Sequence, residues 1–168
     1  MTKIIQFGEE ARENMLAWMK SVADTVCVTM WPKGRNVILE KQYWVPLITN
    51  DGVTIAREIE LEDKFENMWA QLIIDAADRT NSHAWDGTTT ATVLTYGFAK
   101  EWMSHLKSGV NAVELKNGMI LAAREVINEL EKNAKLISST EEITQVATIS
   151  AQDSQVGEII ALAMDKVG

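Results

Sequence analysis

The sequence predicts a mainly α-helical fold with one small β-hairpin. Two observations carry this: long stretches repeat apolar residues every three or four positions, and short polar or glycine-bearing turns bracket those stretches. A single region, between Pro32 and Asn50, has strand-like runs instead. Ala11, Met15, Met19, Val22 and Val26 define a helix over about 9–28. Pro32 and Gly34 then punctuate a loop, and Asn36 to Glu40 with Tyr43 to Thr49 make the hairpin, around 36–49. Asn50-Asp51-Gly52 is a turn that opens the next helix. A further helix spans 63–83, with Phe65, Met68, Leu72 and Ala76 as its apolar face and acidic residues in its first turn. Two more follow, over 88–107 and 111–134; Ser108-Gly109 closes the first and Asn111 caps the second. Ser138-Ser139-Thr140 caps a short helix that begins at Glu141, and Asp153 or Ser154 caps a last one that ends at Gly168.

Bulk properties remove several classes of function. With 168 residues, 46% hydrophobic and 24% charged, the chain has globular composition and enough length for a core. Its net charge of -8 repels phosphate backbones and anionic lipid, so neither nucleic acid nor a membrane is an expected partner. No apolar run reaches the length of a bilayer span, and the N-terminus lacks the apolar stretch of a signal peptide. The lone Cys27 fits a reducing cytoplasm and reads as a small buried hydrophobe. His83 and His105 are too isolated for a metal site. The phosphate-loop pattern of Walker-type NTPases, the dinucleotide fingerprint and the nucleophile elbow are all absent.

The stretch richest in chemistry is Asp86-Gly87-Thr88-Thr89-Thr90, at the start of a helix. A helix start exposes unpaired N–H groups and the positive end of the dipole, which suits an anion. Three hydroxyls add donors, the glycine permits close backbone approach, and an aspartate oxygen suits Mg²⁺. Two other loops, Thr29 to Arg35 and Asn50 to Gly52, also meet helix ends. Three such loops converge readily on one polyphosphate, but each taken singly is equally a capped helix or a routine turn.

Longer motifs narrow the reading. Ala56 to Met68 (AREIELEDKFENM) resembles a run of group I chaperonins, the GroEL family, without a change. Asp86 to Leu94 (DGTTTATVL), Pro32 to Val37 (PKGRNV), Thr148 to Ala151 (TISA) and Met164 to Gly168 (MDKVG) are similar to it as well. The resemblance runs the length of the chain. It implies that residues 1–132 are the N-terminal part of the equatorial ATP-binding domain and 133–168 the start of the intermediate hinge domain. The implied nucleotide-binding residues are Thr29, Met30, Trp31 and Pro32, then Asn50, Asp51 and Gly52, then Asp86, Gly87, Thr88, Thr89 and Thr90. Asp86 takes the place of the Mg²⁺ ligand, and Asp51 that of an auxiliary catalytic acid near the γ-phosphate. The loop at Thr29 to Pro32 takes that of the contact to phosphate and K⁺. Asn50 departs from the family, which usually has lysine there.

The implied protein is a cytoplasmic, ATP-dependent foldase subunit in a ring of identical subunits. Family members are much longer. The apical domain, which meets co-chaperonin and unfolded client, and the aspartate that activates water fall in a part not represented in this sequence. The chain is therefore expected to be an incomplete nucleotide-binding fragment without hydrolysis of its own. The alternative is a truncated, non-enzymatic paralogue that acts as an oligomer-interaction protein.

One compositional feature is out of line. The chain has six tryptophans, about three times the usual share, and its 9 glycines fall short of the roughly 7% that is usual. Laid against the family, Trp18, Trp31, Trp44, Trp69, Trp85 and Trp102 all stand where it resembles a glycine position. Several of these indoles are expected to be exposed or crowded, with Trp31 and Trp85 flanking or filling the nucleotide site.

Overall fold

The computed structural model describes residues 5–30, 33–41, 45–61 and 63–167. Its elements are α1 (Gly8–Cys27), β1 (Val37–Leu39), β2 (Leu47–Thr49), α2 (Gly52–Glu58), α3 (Lys64–Ala84), α4 (Thr88–Lys107), α5 (Ala112–Asn133), α6 (Thr140–Ala151) and α7 (Ser154–Val167). The expected mainly helical fold with one hairpin is what forms. Two compact units divide the chain, Met1–Leu115 and Lys116–Gly168.

The first unit is built on aliphatic side chains from three helices. Met19, Val22, Ala23 and Val26 of α1 pack with Ile55 and Ala56 of α2 and with Ala70, Ile73 and Ile74 of α3. Val37 and Leu39 of β1 and Tyr96 and Ala99 of α4 cover the edges of this core. The strands pair antiparallel, with Val37 opposite Thr49 and Leu39 opposite Leu47. Arg57 Nε donates to Asp78 Oδ1 at 2.7 Å and so ties α2 to α3. Lys107 reaches back from the end of α4 to Glu13 (2.7 Å) and Glu9 (3.3 Å) on α1; hydrogen bonds to those two carboxylates raise its pKa.

Helix ends follow the local chemistry. Asp63 Oδ1 accepts from the N–H groups of Phe65 and Glu66 and starts α3. Gly109, at φ +88, closes α4: its N–H donates to Leu106 O and the next N–H, of Val110, donates to His105 O. Asn111 Oδ1 accepts from Val113 and Glu114 and starts α5, which has no buried residue of its own.

The second unit pairs α6 with α7. Ser139 and Glu142 form a reciprocal capping box at the start of α6. Asp153, not Ser154, caps α7, its Oδ1 accepting from Gln155 and Val156. Gly157 is buried where the two helices touch. A Cβ there would stand 2.1 Å from Thr148 Oγ1 and 2.8 Å from its backbone nitrogen.

Three expectations need correction. The buried face of α3 is Ala70, Ile73, Ile74 and Ala77, whereas Met68 and Leu72 are 49% and 51% exposed and Phe65 and Ala76 only half-buried. Both apolar stripes have helical spacing; the one turned towards α1 and α2 is the one buried. Cys27 is exposed, because it is the last residue of α1 and points away from Val22 and Val26 as the helix ends. The hairpin is shorter than expected, and the Tyr43 and Trp44 part of the second expected strand lies outside the described residues.

Two outcomes test this packing. Gly157→Ala should destabilise the α6–α7 pair by about 1–3 kcal/mol. Gly118→Ala, on an open face of α5 with nothing within 4 Å, should stabilise by roughly 0.5–1 kcal/mol in thermal unfolding. The α6 cap also carries a pH signature. Bonding to Lys135, then to the Ser138 and Ser139 N–H groups, lowers the pKa of Glu142 to about 2. A depressed carboxylate contributes stability above its ordinary value of 4.5, and loses that contribution as pH falls towards 2. Helicity of α6 followed by NMR should therefore drop across that window, and Glu142→Gln should flatten the response.

Candidate functional site

Three loops meet at the start of α4. The first follows α1. Thr29 N donates to Val26 O (3.1 Å), Met30 N donates to Cys27 O (3.0 Å), and the chain turns out of the helix. Thr29 is buried; its hydroxyl donates to Val26 O at 2.8 Å and lies 3.4 Å from the hydroxyl of Thr89. Further on, Arg35 N donates to Val28 O at 2.8 Å, which folds the loop back on itself. This works because residue 34 is glycine: a Cβ there would stand 2.4 Å from Thr29 O.

The second loop starts α2. Asp51 Oδ2 accepts from Thr54 N at 3.1 Å and from the Thr54 hydroxyl, and Thr49 Oγ1 accepts from Asp51 N. Gly52, the first helical residue, is buried directly against α4. A Cβ at Gly52 would meet Thr89 Oγ1 at 2.3 Å, Thr89 N at 3.1 Å and Thr88 Oγ1 at 3.2 Å.

The third loop links α3 to α4. Trp85 ends α3 with φ 56, Asp86 follows, and Gly87 has φ 77. Asp86 Oδ1 accepts from Gly87 N at 2.7 Å. Gly87 is the residue before α4 and has no side chain to cap it, so the first-turn N–H groups have no side-chain acceptor. Thr88 and Thr92 are buried and joined, Thr92 Oγ1 donating to Thr88 O at 2.9 Å; Thr89 is half-buried and Thr90 exposed.

Of the residues singled out from the sequence, Thr29, Gly52, Thr88 and Thr89 come into direct proximity. Asp51 and Asp86 are both exposed and enter as chain neighbours of Gly52 and Gly87. Met30 is half-buried and Asn50 exposed; Trp31 and Pro32 lie outside the described residues. Two contributors were not among the expected site residues. Thr54 holds the Asp51 carboxylate, and its position three residues after an N-cap aspartate is the signal that finds it. Gly34 closes the first loop, and nothing in its local sequence announces a contact with Thr29.

A helix start without a side-chain cap, lined by hydroxyls and approached by two tight loops, offers unpaired N–H groups and hydroxyls that suit an anion. The profile of the TCP-1/cpn60 chaperonin family matches residues 22–167, and the chain belongs to that family. Two solved structures are similar. A group III chaperonin in the open state superposes with a TM-score of 0.79 at 25% identity, over 94% of this chain and 32% of its own. The chaperonin gp146 from the bacteriophage EL 2 (Pseudomonas aeruginosa), crystallised in the presence of ATP-BeFx, superposes with a TM-score of 0.77 at 29% identity, over 92% of this chain and 27% of its own. The chain thus spans about a third or less of the length of these two relatives.

The Gly52 contact can be tested directly. Gly52→Ala should destabilise the first unit by about 1–3 kcal/mol, since both a hydroxyl and a backbone nitrogen stand in the way. Adding Thr89→Ala removes the nearer obstacle and should recover part of that loss in chemical denaturation; full additivity of the two would contradict the contact.

Proposed function

We propose that this chain is the nucleotide-binding part of an ATP-driven chaperonin subunit of the group I kind. The observation that carries the reading is the meeting of Thr29, Gly52 and Thr88–Thr89 at the start of α4. In it, the first-turn N–H groups of α4 and the hydroxyls of Thr88, Thr89 and Thr90 hold phosphate oxygens. Asp86 holds Mg²⁺. Among the described residues no three His, Cys, Asp or Glu side chains gather as a metal cage. One carboxylate suits Mg²⁺, which takes most of its ligands from water and substrate phosphates. The ion supplies neutralisation of phosphate charge when bound. Asp51, held by Thr54, stands beside the same junction as the auxiliary acid, and Thr29 to Pro32 form the phosphate and K⁺ loop.

On this reading residues 1–132 belong to the equatorial domain and 133–168 begin the intermediate domain. The whole subunit works in a cytoplasmic ring of identical copies, with co-chaperonin and unfolded client meeting an apical domain. A similar chaperonin crystallised in the presence of ATP-BeFx supports the nucleotide, and the match to the chaperonin family supports the folding role. No helix among the described residues is long and apolar enough to cross a membrane.

In a complete subunit, Asp86→Ala should abolish Mg²⁺-dependent ATP hydrolysis while leaving the circular dichroism unchanged. Activity like that of the unsubstituted subunit would sink the assignment. The 168-residue chain alone should show no turnover, because by the family resemblance the water-activating aspartate lies outside it.

A further inference from the structure

Two tryptophans sit where an indole is out of place. Trp85 takes φ 56 and ψ 11, in the left-handed region that a bulky side chain avoids and glycine enters freely. It is also 82% exposed, so its large apolar surface gains no burial in return. Gly87, two residues on, has φ 77; the bend that delivers Asp86 therefore uses two left-handed residues, only one of which is glycine. Gln152 adopts a similar backbone at the end of α6, but its flexible polar side chain is at home in water.

The second observation is independent. Trp69, on α3, buries its Nε1 without any hydrogen-bond partner, and it is the one such buried side-chain atom among the described residues. Buried donors are nearly always satisfied. Trp69 lines a cleft with Trp18 of α1, together with Asn14 and Glu66. Two indoles therefore stand at one place where α1 meets α3. A glycine at 69 leaves no donor to satisfy and takes no space between the helices.

We infer that positions 85 and 69 are glycine in the protein as its own cells make it, through UGA codons that some genetic codes read as tryptophan and others as glycine. We further assign position 85 as a positioning residue: its freedom at positive φ sets Asp86 and Gly87 at the start of α4. The identity of the two residues stands on backbone and hydrogen-bond chemistry alone; the positioning role rests on the nucleotide reading above.

The protein isolated from its source cells decides the identity. Trypsin releases Thr80–Lys100, which contains Trp85, and Phe65–Arg79, which contains Trp69, each with no internal Lys or Arg. Peptide masses with glycine at both positions are the expected result. Tryptophan in either peptide, or UGG at either codon, overturns the inference. For the role, Mg²⁺-ATP affinity is measured by calorimetry on the longest chain the gene encodes. Trp85→Gly should tighten binding about tenfold or more over the chain as written, and Trp85→Ala much less, because alanine keeps the left-handed penalty. Equal gains from the two variants overturn the positioning role. Binding by none of the three chains overturns that role and the nucleotide reading together, and leaves the peptide masses to stand by themselves.

Discussion

The junction of the three loops is held by aliphatic contacts just behind it. Val26 lies one turn before Thr29, and Ile55 lies one turn after Gly52; both are fully buried, with Ile73 of α3 beside them. An interior packed at crystal-like density allows little sliding. The ends of α1 and α2 are consequently fixed to within side-chain tolerances before any ligand arrives. Thr92, fully buried on α4, bonds back to Thr88 O and extends the same rigidity into the first turn of that helix. A binding site of this kind owes its shape to side chains that never touch the ligand.

Glycine does a second kind of work here. Gly34, Gly52 and Gly157 are all places where one backbone passes over another, and each has threonine as its neighbour. A Cβ at any of them collides with a threonine oxygen, so the missing side chain is what brings a hydroxyl or carbonyl to the opposing chain. Gly97 and Gly118 meet nothing and have no such duty. Glycine count alone therefore says little about a helical protein; which backbone the glycine faces says a great deal.

Much of the fold was legible because helix ends write themselves in local chemistry. Asn111, Ser139 and Asp153 cap the helices that follow them, and Ser108-Gly109 ends α4. Those signals need only neighbours in sequence. The buried face of α3 was not legible. Phe65, Met68, Leu72 and Ala76 have the right period, yet the core chose the stripe through Ala70, Ile73 and Ala77. That choice depends on how closely α1, α2 and α4 approach, which no spacing within α3 encodes. The exposure of Cys27 has a local origin instead, since it is the last residue of α1. The meeting of Thr29, Gly52 and Thr89 spans sixty residues of chain, so periodicity was silent on it; the run Asp86 to Leu94 and its companions pointed to it by family resemblance.

The order of these parts along the chain has a kinetic meaning. Every residue of the junction lies between Thr29 and Thr92, and the core that fixes it lies between Met19 and Ile74. During synthesis the polypeptide leaves the ribosome from its N-terminus, and segments able to bury apolar surface do so as they emerge. The scaffold of the junction can thus close once α4 has cleared the tunnel, before α6 and α7 have emerged from it. A newborn chain of this kind can hide its aliphatic core early, when a nascent polypeptide is most exposed to aggregation.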